Sequence, residues 1–172
     1  AVPVQIQALT HSPMMVGLLG VTQLLPVLVF GLWGGSLADA LDRRKLLIYS
    51  ELVMTLAAFG LALNAAASKP NVIAVFTLAF VMQSANSLHR PAMEALAQKL
   101  VTVPELPAAS ALISLRGSIG AVAGPMLGGI LVAKAGVSAA YIADALSFGA
   151  AMTCLGLMRD LPPREQSAEA GW

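Results

Sequence analysis

Five long apolar runs, separated by short polar segments, organise the chain. Each is close to or above the roughly 20 residues that a helix needs to cross the hydrocarbon core of a bilayer. The runs are residues 13–38, 46–67, 71–90, 108–133 and 137–158. A further apolar stretch, residues 1–9, is too short to cross and is expected to be the end of a truncated first helix. The pattern predicts an all-α, polytopic membrane protein with five complete crossings and the end of one more.

Local signals predict where these helices begin and end. Ser12 is a candidate N-cap with Pro13 in the first helical position. Pro91 discourages simple continuation of a helix, so the third complete crossing is expected to stop at residue 90. The segment 134–136 is expected to turn the chain between the last two crossings.

The positive charges give the crossings an orientation, because lysine and arginine are retained on the cytoplasmic side of a membrane. Alternate connections place Arg43, Arg44, Lys45, Arg90, Lys99, Arg159 and Arg164 on one side, and Lys69 and Lys134 on the other. We therefore expect three cytoplasmic segments. They are a short loop at 39–45, a longer segment with an amphipathic extension at 91–107, and the start of a central loop at 159–172.

Composition excludes most other classes of protein. Hydrophobic residues make up 58% of the chain and charged residues only 11%, too few to cover the surface of a soluble helical enzyme. A net charge of +1, with no basic patch interleaved with aromatic residues, argues against nucleic-acid binding. The sequence contains no Walker loop, Ser-His-Asp arrangement or metal-ligand cluster. We therefore expect no enzymatic activity, no cofactor and no metal.

The connection after the first complete crossing carries a motif. It reads Gly35-x-x-Ala38-Asp39-x-x-x-Arg43-Arg44. This motif resembles the loop between the second and third helices of transporters of the major facilitator superfamily. The family pattern has a basic residue after the aspartate and a glycine before the first arginine. Here those positions are Ala40 and Asp42, so the match is partial.

A second motif lies two further crossings along the chain and reads Gly120-x-x-x-Gly124-Pro125-x-x-Gly128-Gly129. It resembles the fifth-helix motif of drug and proton antiporters of the same superfamily, although the upstream glycine of the longer pattern is Ala111 here. Three shorter stretches resemble the branch that contains enterobactin exporters and macrolide-efflux-like proteins. They are Leu9-Thr10-x-Ser12-Pro13, Asp42-Arg43-Arg44 and Ser147-Phe148.

This resemblance, which covers essentially the whole chain, implies a fold and a function. The fold would be the N-terminal six-helix bundle of a major facilitator transporter, an inverted 3+3 repeat with its first helix truncated. The partners would be the lipid bilayer, a small-molecule substrate such as a drug or a siderophore, and a C-terminal six-helix half absent from this chain. The function would be export across a bacterial plasma (inner) membrane by alternating access, driven by proton antiport. The alternative is a truncated membrane module, a scaffold or remnant that transports nothing.

Each motif has a functional and a structural explanation. Asp39 and the following arginines could form a latch, because carboxylate–guanidinium pairs are stronger at a dry–wet boundary than at an open surface. Its rupture would bias which side is open; the alternative is a solvated charge cluster that sets topology. Small residues from Gly120 to Gly129 let another backbone approach closely, and Pro125 can bend the helix. They would either seal one side of the cavity or serve packing alone.

Charged residues inside the predicted crossings are functional candidates because a bilayer makes them costly. Glu51 and Arg116 enter from the same side to a similar depth, so they could pair, with Glu51 as a proton carrier; snorkelling to the interface is the alternative. Asp144, nearer the external side, could be protonated during transport or could hold a structural hydrogen bond. Polar residues that could line a path or only join helices are Gln23, Asn64, Gln83, Asn86 and His89, of which His89 is expected at the interface.

Overall fold

Five α-helices and one short 3₁₀ turn make up the described part of the chain. The computed structural model describes residues 1–40, 43–101 and 103–157, and for residues 31–40, 43, 95, 97–100 and 103 it describes the path of the backbone. The helices are α1 (Val2–Thr10), α2 (Pro13–Ala40), α3 (Arg43–Ala66), α4 (Val72–Leu100) and α5 (Leu106–Leu157), and the 3₁₀ turn is Val103–Glu105.

Four of the described helices are long and apolar enough to cross a bilayer. The qualifying stretches are Pro13–Phe30, Arg44–Ala66, Val72–Glu94 and Leu106–Leu157. The prediction of a helical, multi-pass membrane protein is confirmed at this level. The last stretch has 52 residues, more than twice the length of one crossing. Gly136 interrupts it with φ 83° and ψ 171°, a backbone conformation that glycine adopts without steric cost.

The connection between α1 and α2 is a tight turn. His11 adopts a left-handed conformation with φ 49°, and its backbone N–H donates to the Gln7 carbonyl at 2.9 Å. The Thr10 hydroxyl donates to the Ile6 carbonyl at 2.8 Å and so satisfies a second carbonyl at the end of α1. α2 then begins at Pro13, whose missing N–H would have no partner in the first turn of a helix.

Two asparagines close the turn between α3 and α4. The Asn71 backbone N–H donates to Oδ1 of Asn64 at 2.9 Å, which fixes the end of α3 against the start of α4. The side-chain oxygen of Asn71 accepts from the N–H groups of Ile73 at 2.8 Å and Ala74 at 3.4 Å. Asn71 is therefore the N-cap of α4. Because the turn that it closes is short, α3 and α4 run antiparallel.

α4 continues through Pro91 to Leu100, although the sequence predicted that the helix would stop at residue 90. The start of the predicted 91–107 segment is therefore helical. Beyond the proline, Ala92 and Leu96 are buried against the beginning of α3. This packing stabilises the helix beyond Pro91. It outweighs the loss of one backbone hydrogen bond at the proline, which membrane helices tolerate.

α3 lies at the centre of the bundle. It packs against α4 on one side and α5 on the other, while α2 packs on α4 and α1 contacts both α2 and α4. Two hydrogen bonds align α3 with the end of α5. The Ser138 hydroxyl donates to the Ala62 carbonyl at 3.1 Å, and Nη2 of Arg44 donates to the Gly156 carbonyl at 3.0 Å. From Ser138 to Gly156 the residue numbers rise along α5, while those of their partners fall along α3 from Ala62 to Arg44. Residues 137–157 therefore run antiparallel to α3.

Two apolar clusters form the core of the described residues. The first apolar cluster, near the α3–α4 turn, consists of Ile6, Leu19, Leu61, Ala62, Val75, Ala79 and Tyr141. The second apolar cluster, near the beginning of α3, consists of Leu46, Leu47, Ala92, Leu96 and Leu155. Both include residues of α3, α4 and α5, so these three helices are joined at two levels.

Candidate functional site

The first motif spans the junction of α2 and α3. α2 continues through Gly35 and Asp39 to Ala40, and α3 begins at Arg43, so the helices include much of the predicted 39–45 loop. Asp42 lies outside the described residues. The latch formed by Asp39 and the arginines stays a prediction.

Arg44 connects the motif to the far end of the chain. Its guanidinium Nη2 donates to the Gly156 carbonyl at 3.0 Å, in the last turn of α5. The last carbonyls of a helix have no partner within the helix and carry a partial negative charge, which an arginine stabilises. The motif therefore has a structural contact with α5.

The second motif lies on an open face of α5. Its glycines are Gly120, Gly124, Gly128 and Gly129, and a Cβ atom added at any of them would meet no atom of the described chain within 4 Å. Pro125 is exposed as well. The described elements of this chain therefore do not make the close approach that the small residues permit. That another surface packs against the motif stays a prediction.

Glu51 and His89 meet inside the bundle, between α3 and α4. Oε1 of Glu51 lies 3.0 Å from Nε2 of His89, and only 6% and 17% of the two side chains are exposed. This is an ion-pair distance, but the orientation does not meet the geometry of a directional hydrogen bond. The other carboxylate oxygen, Oε2, is buried with no hydrogen-bond partner among the described residues. A buried carboxylate is costly unless a partner compensates it, and His89 is the described group that lies close enough to do so.

Arg116 does not form the expected pair with Glu51. Within the described ranges no ion pair joins them; Arg116 is exposed on α5 and acts electrostatically on His89. Equal depth along two helices does not make their side chains face each other, and α5 has little contact with α4. The sequence predicts His89 at the interface. The available signal was its spacing from Ala85 and Ala92, which places it close to the buried face of α4.

A second polar contact joins α1 to α5. The Tyr141 hydroxyl donates to Oε1 of Gln5 at 2.8 Å, and both residues are buried. The sequence pattern does not single out this pair, although Gln5 is one of two glutamines in an otherwise apolar stretch. Asp144, one turn after Tyr141, is exposed and acts on it electrostatically. Its backbone carbonyl accepts a hydrogen bond from Ser147 at 2.8 Å. The protonation role of Asp144 stays a prediction.

The remaining polar candidates are dispersed. Asn64 belongs to the α3–α4 turn, where its amide donates to the Asn71 carbonyl at 3.3 Å. Gln23, Gln83 and Asn86 are half-buried on α2 and α4. In the part of the chain that the structure describes, no group of three or more His, Cys, Asp or Glu residues could hold a metal ion. The buried ionisable contact between α3 and α4 is therefore the candidate site with the most defined geometry.

Comparison with known proteins gives a consistent family. Residues 4–169 match the family described as transmembrane secretion effectors. The chain is 37% identical over 171 residues to the enterobactin exporter EntS of Shigella flexneri, and equally so to those of Citrobacter koseri and Escherichia coli O1:K1 / APEC. Each match covers 98% of this chain and 41% of the relative, so the chain spans less than half the length of these exporters. No solved structure matches the chain.

The family match extends over nearly the whole chain, and the two motifs occur in the order found in major facilitator transporters. The chain therefore belongs to the transmembrane secretion effectors of the major facilitator superfamily, with the features of a transporter's N-terminal half.

Proposed function

We propose that the chain is the N-terminal half of a secondary transporter that exports a small molecule across a bacterial plasma membrane. The observation that carries the proposal is the 37% identity to enterobactin exporters over 98% of the chain. By the same relation, the substrate is a siderophore-like molecule. The transport cycle is alternating access, in which two halves rock about a site near the middle of the membrane.

In this proposal α5 contributes two crossings, and the bundle has six helices when α1 is counted as the end of the first. The part before Gly136 and the part after it are each long enough to cross a bilayer. The left-handed glycine supplies the turn between them. The antiparallel alignment of residues 137–157 with α3 supports an orientation for the last crossing opposite to that of α3.

The second half of the transporter would cover faces that this chain leaves open. Only 11% of the residues in Pro13–Phe30 and 11% of those in an 18-residue segment of Leu106–Leu157 are buried, against 44% in an 18-residue segment of Arg44–Ala66. In a bilayer such apolar faces contact either lipid or another helix. The small residues at Gly120 to Gly129 favour a helix, because they permit close backbone approach. We place the second half against this face and the substrate site between the halves.

Export can be tested in a bacterial strain that lacks its own exporters. The transporter that contains this chain is expressed there, and release of a siderophore, a macrolide and a dye is measured with and without a protonophore. We expect release of the siderophore, and we expect the protonophore to abolish it. Normal membrane insertion without export of any of the three would instead favour a non-transporting module.

The latch has its own test in the same assay. Asp39→Asn removes the carboxylate charge and keeps the side-chain size, so insertion should be normal while export falls. Lys69→Gln, which changes a charge in the α3–α4 turn, serves as the matched variant and should export normally. If Asp39→Asn exports at the normal rate, the motif acts as a topology signal.

A further inference from the structure

The contact between Glu51 and His89 lies in a polar layer between the two apolar clusters. On α3, Glu51 comes after Leu47 of the second apolar cluster and before Leu61 of the first. On antiparallel α4, His89 lies between Ala79 of the first cluster and Ala92 of the second. The two ionisable groups are therefore enclosed along the bundle axis by apolar packing on both sides.

Neighbouring hydroxyl groups do not compensate the carboxylate. The Ser50 hydroxyl donates to the Leu46 carbonyl at 2.8 Å, and the Thr55 hydroxyl donates to the backbone carbonyl of Glu51 at 2.7 Å. Each hydroxyl proton is thus used within α3. Among the described side chains, His89 is the group in contact with the Glu51 carboxylate.

Few other charges face this layer. Residues 2–10 of α1 and 13–30 of α2 contain no ionisable side chain. On α5, Arg116 acts electrostatically on His89. The remaining charged residues of α3 and α4 lie toward the second apolar cluster along the two helices and are Arg43, Arg44, Lys45, Arg90, Glu94 and Lys99.

We propose that Glu51 and His89 together bind one proton and that this proton is the ion that the transporter exchanges for its substrate. The exchange for substrate rests on the proposed export function. With one proton the pair is neutral as a whole, whichever residue holds it. A second proton would leave a net positive charge near Arg116, and loss of the first leaves a carboxylate between two apolar clusters. Two groups this close titrate as a unit and not as independent residues.

The step involves only the making and breaking of a bond to hydrogen. A proton from one side of the membrane forms an O–H bond at Glu51 or an N–H bond at His89. When α3 and α4 shift during alternating access, that bond breaks and the proton leaves to the other side.

The proton site can be tested without a substrate, because the chain has only two histidines, His11 and His89. The chain is labelled with ¹⁵N-histidine in lipid nanodiscs, and the ring nitrogen signals are followed as pH is changed. We expect Glu51→Gln to shift the midpoint of His89 and not that of His11, which lies in the exposed α1–α2 turn. Asp144→Asn, the matched removal of a carboxylate elsewhere, should shift neither. An unchanged His89 midpoint in Glu51→Gln would overturn the shared site.

The coupling role is tested with the transporter in proteoliposomes. Glu51→Gln and His89→Asn should each abolish substrate accumulation driven by a pH gradient, while substrate exchange without a gradient persists. Accumulation that persists in Glu51→Gln would overturn the coupling role, and loss of exchange as well would assign the pair a structural role. If the unmodified transporter moves none of the tested compounds but the histidine signals remain coupled, the export function fails and the proton site stands.

Discussion

α3 and the part of α5 before Gly136 are both apolar, but their surroundings differ. In an 18-residue segment of α3, 44% of the residues are buried inside the described bundle, whereas the buried residues of α5 are Ala140, Tyr141 and Leu155, all of them after Gly136. Gly60 of α3 is so close to α4 that an added Cβ would lie 3.2 Å from a methyl of Leu78. At Gly124 of α5 the same atom would meet nothing within 4 Å in the described chain.

This difference shows that apolar character alone does not predict which helix of a membrane bundle is buried inside it. Lipid is as apolar as leucine, so a helix gains little by hiding apolar side chains from it. Helices associate through close packing and polar contacts instead. The small residues of α3, such as Ala57 and Ala58, have their packing partners within this chain. The small residues of the second motif have no such packing partner among the described residues, so a helix that packs on them would lie beyond the described bundle.

The largest expected effect is the difference in stability between alanine substitutions of two leucines on α3. Leu61 is fully buried in the first apolar cluster, whereas 59% of Leu63 is exposed. Leu61→Ala should lower the free energy of unfolding by about 2 kcal/mol or more, because it leaves a cavity. Leu63→Ala should change it little. Thermal unfolding in detergent measures both, and equal losses would contradict the placement of α3 at the centre.

Substitutions at one glycine of α3 and one glycine of α5 distinguish the surroundings of the two helices more directly. Gly60→Leu should destabilise the chain by about 1–3 kcal/mol, because the side chain must displace Leu78. Gly124→Leu should leave unfolding of the isolated chain unchanged, and in the transporter it should reduce export. If Gly124→Leu destabilises the isolated chain as much as Gly60→Leu, then α5 packs within this half after all.

The α3–α4 turn gives a smaller effect. Asn71→Ala removes the N-cap of α4 and should cost about 1 kcal/mol. Asn71→Asp keeps an acceptor oxygen and should retain most of the stability. Hydrogen exchange at the Ile73 and Ala74 amides, which Asn71 caps, measures the loss locally. Unchanged protection of these amides in Asn71→Ala would rule out the cap.

The smallest effect is expected at Arg44, which joins α3 to the end of α5. Arg44→Gln should cost about 0.5 kcal/mol, because the bond to the Gly156 carbonyl is at an exposed position. Its consequence should be local fraying of the last turn of α5, seen as faster hydrogen exchange there. Exchange that accelerates equally at the α3–α4 turn would indicate general destabilisation instead.

The sequence contained enough information to predict the class of protein and several local features. Long apolar runs predicted membrane helices, and the segment 134–136 was expected to turn the chain; the structure interrupts the helix at Gly136. Pro91 was misleading, because the continuation of α4 depends on the packing of Ala92 and Leu96 against α3. A local signal of helix termination carries no information about such long-range contacts.

The candidate site was only partly predictable. Depth in the membrane could be counted from helix ends, and Glu51, which this count placed inside a crossing, is buried in the bundle. Counting gives no information on which helices are neighbours, so it paired Glu51 with Arg116 and not with His89. Likewise, the glycine motif indicates that close packing is possible but not which surface provides it.

The central claim is that a second half of the transporter covers the open face of α5; the exposed face of α3 would then contact lipid. Leu127 of α5 and Leu63 of α3 are matched for its test, with 60% and 59% exposure. Spin labels at these positions report contact with oxygen dissolved in the bilayer. In the isolated chain both labels should be accessible, and in the complete transporter Leu127 alone should become protected. Equal accessibility at both positions in the complete transporter would contradict the account.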